Sequence, residues 1–418
     1  MAKTALIIGG GVIGVTTAWY LAERGIAVTL VERRAACGLE TSYANGGLIT
    51  PSQSDPWNGP GTLTHLLTWL GRDDSPLLLR PRALPGIWAW GLRFLWASRA
   101  APWWRATEAN LRLGLYSVSC LTAIRETLKL EYAGSSAGTL KLFRDGYALE
   151  RSATLAESLA AAGLRYSVLS PEQAVDLEPL LEGCRGGLAG AIHYPLDQSG
   201  DAHAFTQALE SKAAKAGVRM LFGTEVQSFV VESGSIAAVH TSGGELIADS
   251  YVLAAGCASP KLAAPLAIKL PMYPVKGYSL TLAMPGRRLG VPLVDFERKI
   301  VLTPLGKRLR IAGTAEFSGF DLGSNPRRAA AILEHARHVL PALGAATAGE
   351  PWVGLRPMTA DGPPILGATP YPNLYLNTGH GPLGWTLAAG SARVVADLVA
   401  GHAPEIELTG LDYARYRP

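Results

Sequence analysis

The stretch "TALIIGGGVIGVTTAWYLAERGIAVTLVERR", Thr4–Arg34, decides the fold of this chain. Its first five residues, Thr4–Ile8, form a short apolar run that is typical of a parallel strand buried on both faces. Gly9, Gly11 and Gly14 follow in the spacing G-x-G-x-x-G. The first glycine permits a tight turn, the second lets the backbone approach a pyrophosphate, and the third allows close packing of helix on strand.

The rest of the stretch completes a βαβ unit. A helix is predicted from Val12 and Ile13 to about Arg24, with Gly25 as its C-terminal cap, and a second strand over Ile26–Val31. Glu32 ends that strand, where a carboxylate accepts hydrogen bonds from a ribose, and basic Arg33 comes next. Strand, glycines, helix, strand and acid in this order predict a bound dinucleotide, against the alternative of a purely structural glycine turn.

Composition limits the other possibilities. The chain has 418 residues, of which 48% are hydrophobic and 17% charged, so a globular protein of two domains is expected. A formal net charge of +4 is too small to indicate nucleic-acid binding. The cysteines are scattered without a CxxC pair, so reduced thiols in a cytoplasmic protein are expected and no metal site is predicted. Neither a signal peptide nor a membrane-spanning helix is expected from the apolar runs.

Two further glycine-rich segments extend the predicted ligand site. "CGLETSYANGGLITP", Cys37–Pro51, brings polar groups that could contact an extended ligand, although an ordinary surface loop is an equal alternative. "YLNTGHGPLGWTLAAGSARVVADLVAGHAP" reads as a strand over Leu374–Asn377, a loop and a helix over Trp385–Ala400. The positive end of that helix would stabilise the negative charge of a reduced flavin. His380 in the loop is either a hydrogen-bonded structural residue or a catalytic acid–base.

The motifs "ETSYANGG", "GLRPMTADG" and "NTGHGPLGWT", in this order after the first fingerprint, resemble the FAD-dependent D-amino acid dehydrogenase family. This family lies in the wider group of D-amino acid oxidase, glycine oxidase and sarcosine oxidase. The resemblance covers nearly the whole chain. It implies an α/β fold with a Rossmann-like FAD-binding domain of discontinuous segments, 1–51, 201–264 and 352–418. The remaining 52–200 and 265–351 would form an α+β substrate domain around an antiparallel sheet.

The resemblance also implies a set of residues around a non-covalent FAD. These are, from the ADP half to the flavin ring, Gly9, Gly11, Val12, Ile13, Gly14, Glu32, Arg33, Thr41, Ser42, Asn45, Gly46, Gly47, Leu48, Val226, Ala255, Gly256, Gly379, His380, Gly381, Leu383, Gly384 and Thr386. Cys257 follows this set and is expected to be a small buried thiol, with a flavin linkage as the less favoured alternative.

Arg356 in "GLRPMTADGPPILG" is the candidate for binding substrate. Pro357 biases the preceding residue to an extended backbone, so the guanidinium is aimed. The resemblance places a carboxylate-binding arginine at this motif, and Tyr278 would add a hydroxyl to the same carboxylate. For Lys276 two alternatives stay open, a position near the flavin and a solvated side chain. Hydride transfer from Cα of a D-amino acid to flavin N5 then needs positioning rather than a protein base.

Other functions stay open at this point. A related flavoenzyme acting on D-hydroxyproline, glycine or sarcosine would carry the same motifs, and only the pocket separates them. An NAD-linked dehydrogenase fits the first fingerprint but leaves the C-terminal loop and helix unexplained. A subunit that only relays electrons from a flavin is the non-catalytic alternative.

"LPGIWAWGLRFLWASRAAPWW", Leu84–Trp104, holds five of the ten tryptophans, with Arg93 and Arg99 among them. Such a segment is either a core helix that covers the substrate pocket or a peripheral contact with the inner membrane. The family resemblance implies that electrons pass to a quinone or another respiratory acceptor. We therefore expect a cytoplasmic protein, with a peripheral position on the cytoplasmic face of the inner membrane as the hypothesis for 84–104.

Overall fold

The computed structural model describes residues 3–61, 77–80, 83–284, 286–344, 346, 349 and 351–416. Its first sheet is parallel except for one antiparallel strand at its edge. In spatial order its strands are β19 (Ile365–Ala368), β20 (Leu374–Thr378), β13 (Ser250–Leu253), β1 (Thr4–Ile8), β2 (Ala27–Val31) and β9 (Arg219–Leu221). The predicted βαβ unit therefore lies at the centre of a doubly wound nucleotide-binding sheet.

A second, larger sheet is mostly antiparallel. In spatial order its strands are β18 (Trp352–Thr359), β14 (Met272–Ala283), β17 (Arg308–Phe317), β16 (Ile300–Leu305), β15 (Leu293–Asp295), β5 (Thr139–Phe143), β7 (Gly190–Tyr194) and β6 (Ser167–Leu169), with β4 (Leu77–Leu79) beside β17. Smaller sheets pair β10 (Val226–Glu232), β11 (Ser235–Thr241) and β12 (Gly244–Leu246), and pair β3 (Leu48–Ile49) with β8 (Gln198–Ser199). The α/β class predicted from the sequence, with an additional antiparallel sheet, is confirmed.

Helices cover both sheets. In the described residues they are α1 (Val12–Glu23), α2 (Leu84–Ala97), α3 (Ala100–Leu128), α4 (Gly146–Ala160), α5 (Pro171–Leu177), α6 (Ala202–Lys215), α7 (Ser259–Ala263), α8 (Pro326–Val339) and α9 (Gly384–Ala400). Several ends follow directly from the sequence: Asp201 accepts hydrogen bonds from the first turn of α6, and Gly401 after α9 has φ +83°.

Two segments pack with a different domain from the one predicted for them. Trp352–Thr359 was expected in the nucleotide-binding domain, but it pairs along its whole length with β14 of the larger sheet. Helix α3 lies in the span 52–200 expected to bind substrate, yet its buried face joins the core formed by α1 and α9. The division between domains therefore falls after Thr359, and α3 supports the nucleotide-binding sheet.

Helix α9 is the central helix of this core. Among the described residues, Gly381–Ala400 passes a length-and-hydropathy test for a membrane span, and 78% of the tested window is buried inside the protein. Its apolar side chains pack against α1 and α3, including Leu387, Val394 and Val395. Burial in the core accounts for the hydropathy of this helix.

Helix α2 has two different faces. Ile87, Trp90 and Phe94 are buried against strands of the larger sheet, and the indole of Trp90 donates a hydrogen bond to the carbonyl of Met358. Trp88, Leu92 and Trp96 lie on the opposite side and are 66%, 57% and 57% exposed. Helix α2 thus packs on the larger sheet with one face and presents an apolar face to the outside, which we call the α2 outer face.

Candidate active site

A cavity of about 2200 Å³ lies between the two sheets. Ligand pockets typically measure about 300–1,000 Å³, so this cavity can hold a dinucleotide and further molecules. Of the residues predicted around the cofactor, all line the cavity except Gly14 and Thr386, which stand directly behind its wall. The sequence motifs, which are hundreds of residues apart, therefore meet at one site.

The glycine turn after β1 forms the ADP end of the cavity. Gly9 has φ +111°, and a Cβ there would lie 2.5 Å from the carbonyl oxygen of Ala254. A Cβ on Gly14 would overlap the carbonyl of Gly9, so these two glycines serve the packing of the turn. Gly11 is different, because a Cβ there would meet only the Ser42 hydroxyl, 3.6 Å away, and would otherwise project into open space. That space, at the N-terminus of α1, is the cradle that a pyrophosphate needs.

Glu32 stands beside this cradle. Its carboxylate accepts hydrogen bonds from the backbone N–H of Gly10 at 2.7 Å and of Arg34 at 2.8 Å. A carboxylate has about four acceptor sites, so two remain for the ribose hydroxyls. Arg33 is held at the exposed surface by Glu40, with 2.5 Å between Nη2 and Oε1. Of these two neighbouring residues, Glu32 rather than Arg33 is positioned to bind the nucleoside.

The loop Thr41–Leu48 forms the middle of the cavity wall. The Ser42 hydroxyl accepts a hydrogen bond from Val12 N–H, which fastens the loop to the start of α1. Asn45 accepts from Gly47 N–H, and Gly47 has φ +71°. Gly46 lies against Val301 and Ala312 of the larger sheet. The loop is therefore a fixed shelf between the two sheets rather than an ordinary surface loop.

The loop before α9 closes the other end. Gly379 and Gly381 have φ +79° and +54°, and no side chain caps the free N–H groups of α9. Val226, Ala255 and Gly256 also line the cavity. His380 is buried, with Nε2 3.0 Å from the Ser391 hydroxyl, and burial lowers its pKa to about 3. A ring that stays neutral in this way favours the structural role over the acid–base one.

Arg356 reaches into the cavity from β18. Its guanidinium donates one hydrogen bond to the carbonyl of Thr314 at 3.2 Å and lies 5.5 Å from the ring centre of Trp57. In the described part of the chain no carboxylate lies within 4 Å of it, and burial lowers its pKa to about 10. It remains a cation at neutral pH, and it lines the cavity with only one hydrogen bond to the described protein from its five N–H donors.

The structure corrects the expected place of Tyr278. Its strand alternates, so Gly277 faces Arg356 while Tyr278 points to the opposite side of the sheet. There its hydroxyl donates to the buried carboxylate of Glu316 at 2.9 Å, and burial raises its pKa to about 12. Lys276 shares that side and donates to Asp321 at 3.1 Å. Neither side chain reaches a carboxylate held by Arg356.

Several site residues were missed in the sequence. Gly277 leaves the room that the guanidinium occupies, because a Cβ there would lie 2.5 Å from its Cζ. Thr314 orients Arg356 with its carbonyl and has φ +58°. The glycine directly before Tyr278 in "PVKGYSL" is the only local signal for this arrangement, since Thr314 lies on another strand.

Cradle, acidic residue and uncapped helix end fit a dinucleotide with a redox ring, and Arg356 fits a carboxylate beside that ring. Fold and site thus define a flavin-dependent oxidoreductase. Residues 4–398 match the family model described as FAD dependent oxidoreductase. The chain is 47% identical to "D-amino acid dehydrogenase" of Paramagnetospirillum magneticum, over 98% of each chain. It is 42% identical to the protein of the same name from Bradyrhizobium diazoefficiens, again over 98% of each chain.

A solved structure agrees with this result. The glycine oxidase of Bacillus cereus superposes with a TM-score of 0.72 at 26% identity, over 96% of this chain and 95% of that one. The chain belongs to the family of FAD-dependent oxidoreductases, and its cofactor is FAD.

Proposed function

We propose that this protein catalyses the oxidative deamination of D-amino acids to 2-oxo acids and ammonia. The observation that carries the proposal is the Arg356 guanidinium, a cation in the cavity with no carboxylate partner within 4 Å in the described residues. A bidentate fork of this kind matches the α-carboxylate of an amino acid. The identity of 47% and 42% to two proteins named D-amino acid dehydrogenase supports the substrate class.

FAD, when bound, supplies the two-electron acceptor for the hydride that leaves Cα. The chain's own residues do the positioning: Arg356 holds the α-carboxylate, Thr314 and Trp57 hold the guanidinium, and Gly277 leaves room for it. No side chain is needed to take a proton from Cα, because the Cα hydrogen departs with its electron pair, as hydride, from a substrate whose amine is neutral. The imine product then hydrolyses in water.

An anaerobic titration tests this function. The purified protein is mixed with D-alanine or, separately, with L-alanine, and its visible flavin absorbance is followed. Bleaching by the D-isomer alone is expected. Bleaching by sarcosine, glycine or D-hydroxyproline but by no common D-amino acid would refute the proposed substrate class, and bleaching by no amine would support a subunit that only relays electrons.

We further propose that the electrons pass to a quinone or another respiratory acceptor and that the protein lies on the cytoplasmic face of the inner membrane. The α2 outer face supports this position, because Trp88, Leu92 and Trp96 follow one another at a helical spacing and are all exposed. Arg93 and Arg99 beside them are also exposed and suit anionic lipid headgroups.

Vesicle flotation tests the membrane contact. The wild type should float with vesicles that contain anionic lipid, and the triple variant Trp88→Ser, Leu92→Ser, Trp96→Ser should stay at the bottom of the gradient. Val168→Ser, Leu177→Ser, Ile247→Ser is the matched control, because these side chains are exposed apolar residues elsewhere on the surface. Equal flotation of both triple variants would refute the role of the α2 outer face.

A further inference from the structure

Asp55 is an acid in the cavity that neither the fold nor the cofactor site uses. It lines the cavity together with Trp57 and Arg356, and it is half-buried. Among the described residues, no cation lies within 4 Å of its carboxylate and no other residue donates a hydrogen bond to it. Burying a carboxylate without a partner is costly, so a ligand that carries a positive charge would stabilise Asp55.

The other acids that line the cavity have partners or face the solvent. Glu225 is exposed and directly precedes Val226, in the nucleotide-binding half. The acids that already have hydrogen-bond or ion-pair partners are Glu32, Glu40, Asp295 and Glu297. Within the described part of the cavity, Asp55 is therefore the acid that remains for an amino acid substrate.

The loop that carries Asp55 also contacts Arg356. Trp57 follows Asp55 by two residues, and its ring centre lies 5.5 Å from Cζ of Arg356. Consecutive Cα atoms are about 3.8 Å apart, so the Cα atoms of Asp55 and Trp57 lie within about 7.6 Å of each other. Asp55 thus approaches the carboxylate-binding site from the side of this loop.

A second neighbour of Asp55 borders the same site from the larger sheet. Lys299 is one of the cations whose charge acts on Asp55. The Lys299 carbonyl oxygen lies 3.1 Å from the position of a Cβ on Gly313, the residue before Thr314. The Thr314 carbonyl in turn accepts the hydrogen bond from Arg356. The loop and the sheet therefore place Asp55 beside the substrate carboxylate that Arg356 would hold.

Helix α3 fixes the main chain on both sides of Asp55. The side-chain amide of Asn110 donates to the Ser54 carbonyl at 2.9 Å, and the indole of Trp103 donates to the Pro56 carbonyl at 3.1 Å. These two carbonyls flank Asp55 in the chain. A group that is held in place before the substrate arrives loses little entropy on binding, as catalysis by positioning requires.

The reaction needs a proton acceptor in addition to the carboxylate site. An amino acid carries an ammonium group at neutral pH, whereas hydride leaves Cα only when the amine is neutral. His380 does not supply the acceptor, because burial lowers its pKa to about 3 and the ring then has little affinity for a proton. A carboxylate next to the ammonium group can both bind it and accept its proton.

Titratable groups from three neighbouring parts of the larger sheet face Asp55. Burial raises the pKa of Asp55, while Lys141 of β5 and then Lys299 of the turn between β15 and β16 oppose this rise. Tyr194 of β7 stays protonated because burial raises its pKa, and Asp197 beyond it has hydroxyl partners of its own. A charged lysine accepts no proton, so Asp55 is the acceptor in this group.

We propose that Asp55 binds the ammonium group of the substrate and takes up the proton that this group loses before hydride transfer. The inference rests on the proposed function, in which Arg356 holds the α-carboxylate. The zwitterion is then bound at both charges, and one N–H bond breaks as its proton moves to the Asp55 carboxylate. The hydride leaves Cα with two electrons for FAD, and the product departs as the iminium ion. Asp55 gives its proton to water before the next turnover.

The test is the pH dependence of substrate oxidation by the holoenzyme. The variants are Asp55→Asn and Asp55→Glu, and Asp176→Asn, at an exposed acid on α5, is the matched control. For each protein, kcat/KM for D-alanine and the anaerobic rate of flavin bleaching are measured from about pH 6 to about pH 10. The dissociation constant of propanoate, which has the carboxylate but no amine, is measured from its effect on the flavin spectrum.

In Asp55→Asn, kcat/KM should fall by about 100-fold or more at about pH 7, because loss of a general base costs about 100- to 10,000-fold. It should return to within about fivefold of the wild type at about pH 10, where the amine enters the site already neutral. Asp55→Glu should be more active than Asp55→Asn at about pH 7. Propanoate should bind Asp55→Asn at least as tightly as the wild type, and Asp176→Asn should match the wild type throughout.

A pH profile of Asp55→Asn that runs parallel to that of the wild type would overturn the inference. Weaker binding of propanoate by the same factor as the loss in kcat/KM would also overturn it, because Asp55 would then only maintain the shape of the site. A loss confined to D-lysine would instead show that Asp55 binds a cationic side chain. If the wild type is bleached by another amine but not by D-alanine, the same profiles are recorded with that amine. A wild type that no amine bleaches refutes the proposed function itself, whereas a bleached wild type with an unaltered Asp55→Asn refutes only the role of Asp55.

Discussion

Replacing Arg356 by alanine tests the central element of the site. Its guanidinium makes a single hydrogen bond within the described protein, to the Thr314 carbonyl, so the substitution leaves no protein charge without its partner. The loss therefore falls on the substrate carboxylate, which would enter the cavity unpaired. Removing one partner of a buried charge pair costs about 2–5 kcal/mol. At about 1.4 kcal/mol per tenfold, kcat/KM for D-alanine should fall by about 30-fold to several-thousand-fold.

The assay is steady-state oxidation of D-alanine together with the anaerobic rate of flavin bleaching. FAD content and thermal midpoint should match the wild type, since Arg356 contributes little to the fold. Arg356→Lys is the second variant, because lysine keeps the positive charge but cannot bind a carboxylate through two parallel hydrogen bonds. Its decrease in kcat/KM should be smaller than that of Arg356→Ala. A kcat/KM for Arg356→Ala within fivefold of the wild type, in protein with full FAD content, would refute the assignment of the carboxylate site.

Three further predictions follow from the geometry of the site. Gly277→Ala should raise KM for D-alanine at least about tenfold while leaving FAD content unchanged, because the new Cβ displaces the flexible guanidinium of Arg356. Gly91→Ala is the control, because a Cβ there meets nothing within 4 Å. Equal KM values in the two variants would contradict this geometry. Gly11→Ala should fold, as checked by far-ultraviolet circular dichroism, but should bind FAD poorly. Gly14→Ala should impair folding itself, because its Cβ overlaps the Gly9 carbonyl. Full FAD content in purified Gly11→Ala would count against the cradle. Burial lowers the pKa of His380 to about 3, so its ring stays neutral in the folded protein, whereas the unfolded chain takes up a proton below about pH 6.5; the contribution of His380 to the free energy of unfolding is therefore present above pH 6.5 and is lost as the pH falls. This group alone should lower the free energy of unfolding by about 2 kcal/mol between pH 6.5 and 5. Urea unfolding of His380→Gln should show a smaller decrease over that interval than the wild type, and an identical decrease would argue against this effect.

The sequence predicted the nucleotide-binding half well because its signals are local. Thr4–Ile8 coincides with β1, and the predicted ends of α1 and β2 differ from the observed ones by a single residue. Turn glycines and caps act over a few residues, so their pattern needs no knowledge of the remaining chain. The residues from Thr41 to Leu48 also line the cavity, but the family resemblance placed them there, because the local sequence left an ordinary surface loop as an equal alternative.

The errors arose where the answer depends on distant strands. Tyr278 lies in a strand that is buried on both faces, so "YPVKGYSLTL" has no alternation from which the direction of the hydroxyl could be derived. Trp352–Thr359 joins the larger sheet only through its pairing with β14. Lys141 and Lys299 meet because β5 lies beside β15, an arrangement that neither local sequence reveals.

The place of α9 has a consequence for how the protein is made. Helix α1 ends at Glu23 and α9 begins at Gly384, 361 residues later, yet the two pack directly on each other. At a synthesis rate of about 5–20 residues per second, roughly 20 to 70 s pass between the synthesis of α1 and that of α9. During this time the apolar side of α1 is not covered by α9. The nucleotide-binding core is thus completed after translation of nearly the whole chain. Premature release of a truncated chain would expose the surface that α9 covers, which makes such fragments substrates for chaperones and proteases rather than partly active enzymes.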